Sequence, residues 1–95
     1  MTHDIPAIIA DLRSRMARLP KIDSSRGDIM EQHRQLRSAS EELGEQLTSA
    51  YGARITVRPD TNRIKMCGIT SSSTGGLVGA FGNWIAAAEK KAARL

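Results

Sequence analysis

The stretch Ala53-Arg54-Ile55-Thr56-Val57-Arg58 alternates apolar and polar residues without a break. Pro59-Asp60-Thr61-Asn62 follows with turn chemistry, and Arg63-Ile64-Lys65-Met66-Cys67 alternates again. A period of two sends successive side chains to opposite faces of a pleated strand. A four-residue loop would set Arg58 opposite Arg63, Val57 opposite Ile64, Thr56 opposite Lys65 and Ile55 opposite Met66. One face then holds Ile55, Val57, Ile64 and Met66, and the other holds Arg54, Thr56, Arg58, Arg63 and Lys65. A two-stranded hairpin is marginal on its own in water, so its apolar face has to rest on helices.

The rest of the chain supplies them. Ile5, Ile8, Ile9, Leu12, Met16 and Leu19 recur at three- and four-residue steps, which predicts an amphipathic helix over 5–19. Asp4 is placed to cap it, Pro6 suits its first turn, and Pro20 stops it. A second helix is expected over Arg26–Tyr51, capped by Ser25 with Asp28 in the acidic position of a capping box. It would span roughly 39 Å at 1.5 Å per residue. Ile29, Leu36, Leu43 and Ala50 repeat every seven residues, with His33, Ser40 and Leu47 four later, so two polar residues interrupt a heptad seam. Gly44 marks a kink or a close contact, and Gly52 supplies a left-handed stop. Gly68–Gly76 reads as a flexible Ser/Thr/Gly loop. Ser73 or Thr74 would then cap a third helix reaching about Ala93, with Leu77, Phe81, Trp84, Ala88 and Ala92 as its stripe and Gly75, Gly79 and Gly82 allowing close backbone approach. The expected fold is α+β in the order α-α-β-β-α: a helical hairpin with a long second helix, a two-stranded antiparallel hairpin and a closing helix. At 95 residues this is one domain, 1–95.

Composition removes several function classes. The uncharged run Cys67–Ala88 is too rich in Ser, Thr and Gly to cross a membrane, and no apolar stretch at the start follows basic residues as in a signal peptide. A single cysteine excludes an internal disulfide and suits a reducing compartment, so a cytoplasmic location is expected. Two histidines and one cysteine are too few for a protein-only zinc site. Three aromatics, Tyr51, Phe81 and Trp84, provide no stacking platform for single-stranded nucleic acid. The formal charge of +4 is unevenly spread. Residues 24–51 carry five acids against three bases, whereas 52–70 carry four bases against Asp60 alone. Such a dipole steers association with an acidic partner, or simply keeps the chain soluble.

The basic hairpin face is the strongest candidate for binding. Arg54, Arg58, Arg63 and Lys65 would project from one side, and like charges placed opposite each other destabilise a sheet. A partner's phosphates or carboxylates would offset that cost, and two-stranded ribbons enter the DNA major groove. The plainer explanation is that cations on edge strands block sheet-to-sheet aggregation. Other features carry less. Ser71–Gly76 ahead of a helix suits an anion, yet lacks the lysine and spacing of a phosphate loop and reads better as a solvated linker with a cap. Cys67 and His33 match no cysteine-enzyme motif, and a free cysteine more often packs as a small hydrophobe. His3 lies in the terminal stretch. Arg26-Gly27-Asp28 falls in the first turn of the expected second helix. Glu31, Glu41, Glu42 and Glu45 read as exposed charges without a partner base, so no catalytic set, cofactor site or metal site is expected.

Two segments, Gly68-Ile69-Thr70-Ser71-Ser72-Ser73-Thr74-Gly75-Gly76-Leu77 and Gly82-Asn83-Trp84-Ile85-Ala86-Ala87-Ala88, resemble small proteins carried in prophage regions of proteobacteria. The resemblance covers the last third of the chain. In size, in its single domain and in having no catalytic set, the chain is similar to anti-CRISPR inhibitors as a broad class. That class shares no fold or motif, so the resemblance transfers no residue. It implies a non-enzymatic inhibitor that occupies a subunit or nucleic-acid surface of a CRISPR effector complex. The positive net charge departs from the acidic members that mimic DNA. A small basic nucleic-acid-binding or regulatory protein is the alternative, and an assembly protein forming a homodimer through its second helix is another.

Overall fold

The computed structural model describes residues 4–93, so His3 lies outside the described residues. Helix α1, Ile5–Ala17, starts where Asp4 accepts a hydrogen bond from Ala7 N–H at 3.2 Å, with proline in the first turn. It ends two residues before Leu19, whose N–H donates to Met16 O. Its buried stripe of Ile5, Ile8, Ile9 and Leu12 belongs to the same core as the last helix, Leu77–Ala93, against which α1 packs.

The second helix departs from expectation at its start. Ser24–Arg26 form a short 3-10 turn capped by Asp23, and α2 runs from Ile29 to Tyr51. Asp28, not Ser25, is its cap: at φ 43° its carboxylate accepts from Glu31 N–H. Arg26-Gly27-Asp28 therefore precedes the helix instead of forming its first turn. At 1.5 Å per residue α2 spans about 35 Å. Its buried residues, Ser40, Leu43, Gly44 and Leu47, lie from its middle toward its C-terminal end, where Tyr51 packs partly against the core. Ser40 is buried without penalty because its hydroxyl donates to Leu36 O at 2.7 Å. Gly44 is a close contact: a Cβ there would stand 2.7 Å from Ile55 Cδ1. Gly52, at φ 68°, ends the helix as expected.

The sheet has three strands, not two. β1 (Arg54–Val57), β2 (Asn62–Met66) and β3 (Ile69–Ser73) are antiparallel in the order β1-β2-β3. Residues expected to form a loop are thus a strand. Cys67 and Gly68, at φ 55° and 76°, make the two-residue turn with both central residues left-handed that suits sheet twist. Cys67 therefore sits in a turn and not at the end of a strand. The β1–β2 register also differs from expectation, by two residues. Arg54 faces Lys65, Ile55 faces Ile64, Thr56 faces Arg63 and Val57 faces Asn62. The loop is only Pro59-Asp60, because Arg58 and Thr61 exchange both backbone hydrogen bonds, at 2.8 and 3.3 Å. A shift of two preserves the faces, so the predicted division of side chains stands.

Helix α3, Leu77–Ala93, lies on β2 and β3 as well as on α1. Ala80, Phe81, Trp84 and Ala88 have no exposed surface and meet Ile64, Met66 and Ile69 from the sheet. Ser73 does not cap α3; its Oγ accepts from Gly75 N–H. Of the glycines expected to permit close approach, Gly79 does so, since a Cβ there would overlap Ser73 Oγ. Gly82 faces open space. The architecture is α+β in the order α-α-β-β-β-α, with helices on one face of the sheet.

Candidate binding face on the open side of the sheet

Pairing and alternation together build the uncovered face. Along β1, Arg54 and Thr56 point away from the helices, as do Arg63 and Lys65 on β2 and Thr70 and Ser72 on β3; Arg58 continues that alternation at the turn, where it also borders the groove beside α2, and all seven are exposed. Cross-strand rows run Arg54–Lys65–Thr70 and Thr56–Arg63–Ser72. The four cations named from the sequence thus share one face, with hydroxyls in every row.

Two details revise the expected arrangement. Arg58 does not face Arg63, because the shorter turn pairs it with Thr61. The like-charge pair is instead Arg54 with Lys65, in the row that opens β1. No ion pair relieves it. Among the described residues, the salt bridges join Arg13 to Glu89, Arg15 to Asp11 and Arg34 to Glu31, all away from this face. Thr70 and Ser72 were not legible as part of the face while their segment read as a loop. The signal was available in the two-residue Cys67-Gly68 turn between Met66 and Ile69.

This face offers guanidinium and ammonium donors spaced among hydroxyls, a set that recognises carboxylates or phosphates. It holds no aromatic ring: Phe81 and Trp84 are buried, and the Tyr51 hydroxyl donates to Asp11.

The other sequence candidates are dispersed. His33 lies beside the β1–β2 turn, whereas Cys67 is at the opposite end of β2. Burial pushes the Cys67 thiol above its ordinary pKa, which disfavours the thiolate. Ser71–Ser73 belong to β3, so they form no loop around an anion. Glu31 pairs with Arg34, and Glu41, Glu42 and Glu45 are exposed along α2. No group of three or more metal-ligating side chains occurs among the described residues, and no described helix is long and apolar enough to cross a membrane. A separate polar cluster joins α1 to α2: Asp11 accepts from Tyr51 and from Arg15 Nε at 3.1 Å, and Arg15 also donates to Gln46 at 2.8 Å. The Tyr51 and Arg15 hydrogen bonds hold the Asp11 carboxyl below its ordinary range, and the same contact raises the Tyr51 phenol.

Compared with protein-family models, curated proteins and solved structures, the chain matches none.

Proposed function

We propose that the protein is a non-enzymatic inhibitor of phage type that docks its open sheet face onto an acidic surface of a bacterial defence complex, such as a CRISPR effector. The observation that carries this reading is the set of four exposed cations, Arg54, Arg58, Arg63 and Lys65, with no ion-pair partner among the described residues, on a face that no described helix covers. Holding Arg54 opposite Lys65 costs stability, and an anionic partner offsets that cost on binding. Arginine is enriched where protein interfaces concentrate their energy, and complementary charge speeds encounter and fixes register.

A second reading uses the same face for the phosphates of a nucleic acid. It is favoured by the hydroxyls of Thr56, Thr70 and Ser72 between the cations, since Arg, Lys, Ser and Thr are the usual side-chain partners of phosphate oxygens. The absence of an exposed ring on the face argues for duplex over single strands.

One experiment separates them. Tagged protein is used to capture a purified CRISPR effector complex before and after nuclease treatment, and phage plaquing is scored on a host carrying that complex. Retention after nuclease, with plaquing restored by the native protein and not by a folded Arg54→Glu/Lys65→Glu variant, supports the inhibitor. Retention that disappears with nuclease supports the nucleic-acid reading. For a duplex, affinity should fall with salt at a log–log slope of about −0.9 per phosphate neutralised. A folded double variant that still restores plaquing removes the sheet face from both readings.

A further inference from the structure

A groove of ≈ 620 Å³ opens where the N-terminal half of α2, the β1–β2 turn and the start of α3 meet. Part of its floor is apolar. Val57 lies on the sheet face that the helices otherwise cover, yet it is 58% exposed; Leu36 and Val78 are half-buried on the same lining. The reason is geometric. Gly44 brings α2 into contact with β1 at Ile55, two residues short of Val57, and Asn62 opposite Val57 supplies no apolar cover.

Positive charge surrounds this floor. Arg37 on α2 and Arg58 beside the turn are exposed, and neither has a carboxylate within ion-pair distance among the described residues. Glu41 is the single acid among the lining residues, and His33 lies on the same stretch of α2. The first turn of α3 adds backbone donors. Its N-cap position is Gly76, at φ 102°, which has no side chain to accept from that turn, and Ser73 is engaged with Gly75. Leu77 and Val78 line the groove at this end, where the first-turn N–H groups, which have no side-chain cap among the described residues, carry partial positive charge.

We propose that the groove takes an extended acidic–aliphatic segment of a protein partner. An aliphatic side chain covers Val57 and Leu36, and a neighbouring carboxylate meets Arg37, Arg58 and the start of α3. Asn62 adds an amide to the lining, which a peptide backbone pairs with and an acyl chain leaves unpaired. The proposal rests on the reading above only in taking the partner to be a protein; Arg58 apart, its residues are separate from the open sheet face.

The test is an amide-resolved NMR titration of the full-length protein with acetyl-Asp-Leu-Asp-Leu-amide. Controls are the peptide with serine for leucine, the peptide with lysine for aspartate, and octanoate. Saturable shifts at Leu36, Val57 and Gly76–Val78 are expected with the first peptide only. Val57→Asp and Arg37→Glu, both at exposed positions, should each weaken that binding by about tenfold, the scale of one lost apolar contact or charge pair. Arg54→Glu/Lys65→Glu should leave it unchanged, so failure of the groove and failure of the sheet face give different results. Equal shifts with octanoate overturn the choice of a peptide. Absent shifts, or shifts confined to Arg54, Arg63 and Lys65, overturn the groove.

Discussion

The indole N–H of Trp84 donates to the carbonyl of Met66 across 3.0 Å inside the core, where neither side chain has appreciable exposed surface. Met66 is the last residue of β2, and the left-handed turn at Cys67 and Gly68 follows directly. The bond therefore ties α3 to the point where the chain reverses into β3. Trp84→Phe keeps a ring but leaves that carbonyl without its donor and removes volume. Unfolding in urea should show a loss of about 2–3 kcal/mol with an unchanged slope. A loss below about 0.5 kcal/mol would mean that another donor replaces the indole.

Two glycines of α3 should respond with opposite sign. At Gly82 nothing lies within 4 Å of a new Cβ, so Gly82→Ala should stabilise by up to about 1 kcal/mol through helix propensity. At Gly79 a Cβ would overlap Ser73 Oγ and stand 3.1 Å from Ser73 Cβ, with β3 behind it. Gly79→Ala should therefore destabilise by about 1–3 kcal/mol despite the same propensity gain. Thermal unfolding of both variants checks the contrast. Equal shifts in Tm would show that α3 moves off β3 without cost.

These sites also show why some of the fold was legible and some was not. Period-two alternation through Arg54–Met66 and the stripes of α1 and α3 are direct consequences of burial, so elements and faces could be read from residue type. The β1–β2 register could not, because Pro59-Asp60-Thr61-Asn62 suits either a two- or a four-residue loop, and a shift of two leaves the apolar face intact. β3 was hidden by composition. Ser71 and Ser73 occupy its inward positions, where the apolar residues of α3 supply what the strand lacks, so no alternation of hydrophobicity marks it. At the start of α2, both Ser25 and Asp28 are good caps; Gly27 at φ 73° lets the chain turn late and gives the position to Asp28. The four cations were legible as one face because that needs only alternation. The groove was not, since it depends on where three elements meet.

The Asp11–Tyr51 contact predicts a pH dependence at both extremes. The Asp11 carboxyl is held below its ordinary pKa, first by the Tyr51 hydroxyl and then by Arg15. Its contribution is complete above the unfolded-chain value of about 3.9 and is lost as the pH falls through the lower folded value. Tyr51 is raised, so its share is complete below about 10 and is lost as the pH rises through the higher folded value. Tyr51→Phe should flatten both limbs of a stability–pH curve, whereas Asp11→Asn should remove the acid limb that this carboxyl contributes. Both groups reach solvent, so the expected effect is no more than about 1 kcal/mol. An acid limb in Asp11→Asn identical to that of the native protein would assign it to other carboxylates.

Arg54 and Lys65 are directly opposite on the uncovered face, which makes stability and binding pull apart there. Arg54→Glu turns a like-charge pair into an attractive one and should raise stability by about 0.2–1 kcal/mol at low salt. The gain should shrink as salt is added, because both side chains are exposed. The same change replaces a cation with an anion on the proposed contact face, so affinity for an anionic partner should fall. A variant that unfolds later yet captures less partner is the expected result, measured by denaturation and by capture on the same preparation. Unchanged capture by a stabilised Arg54→Glu would identify Arg54 as a guard of the β1 edge against strand pairing. Loss of stability would mean that Arg54 has a favourable contact within the fold that outweighs its repulsion from Lys65.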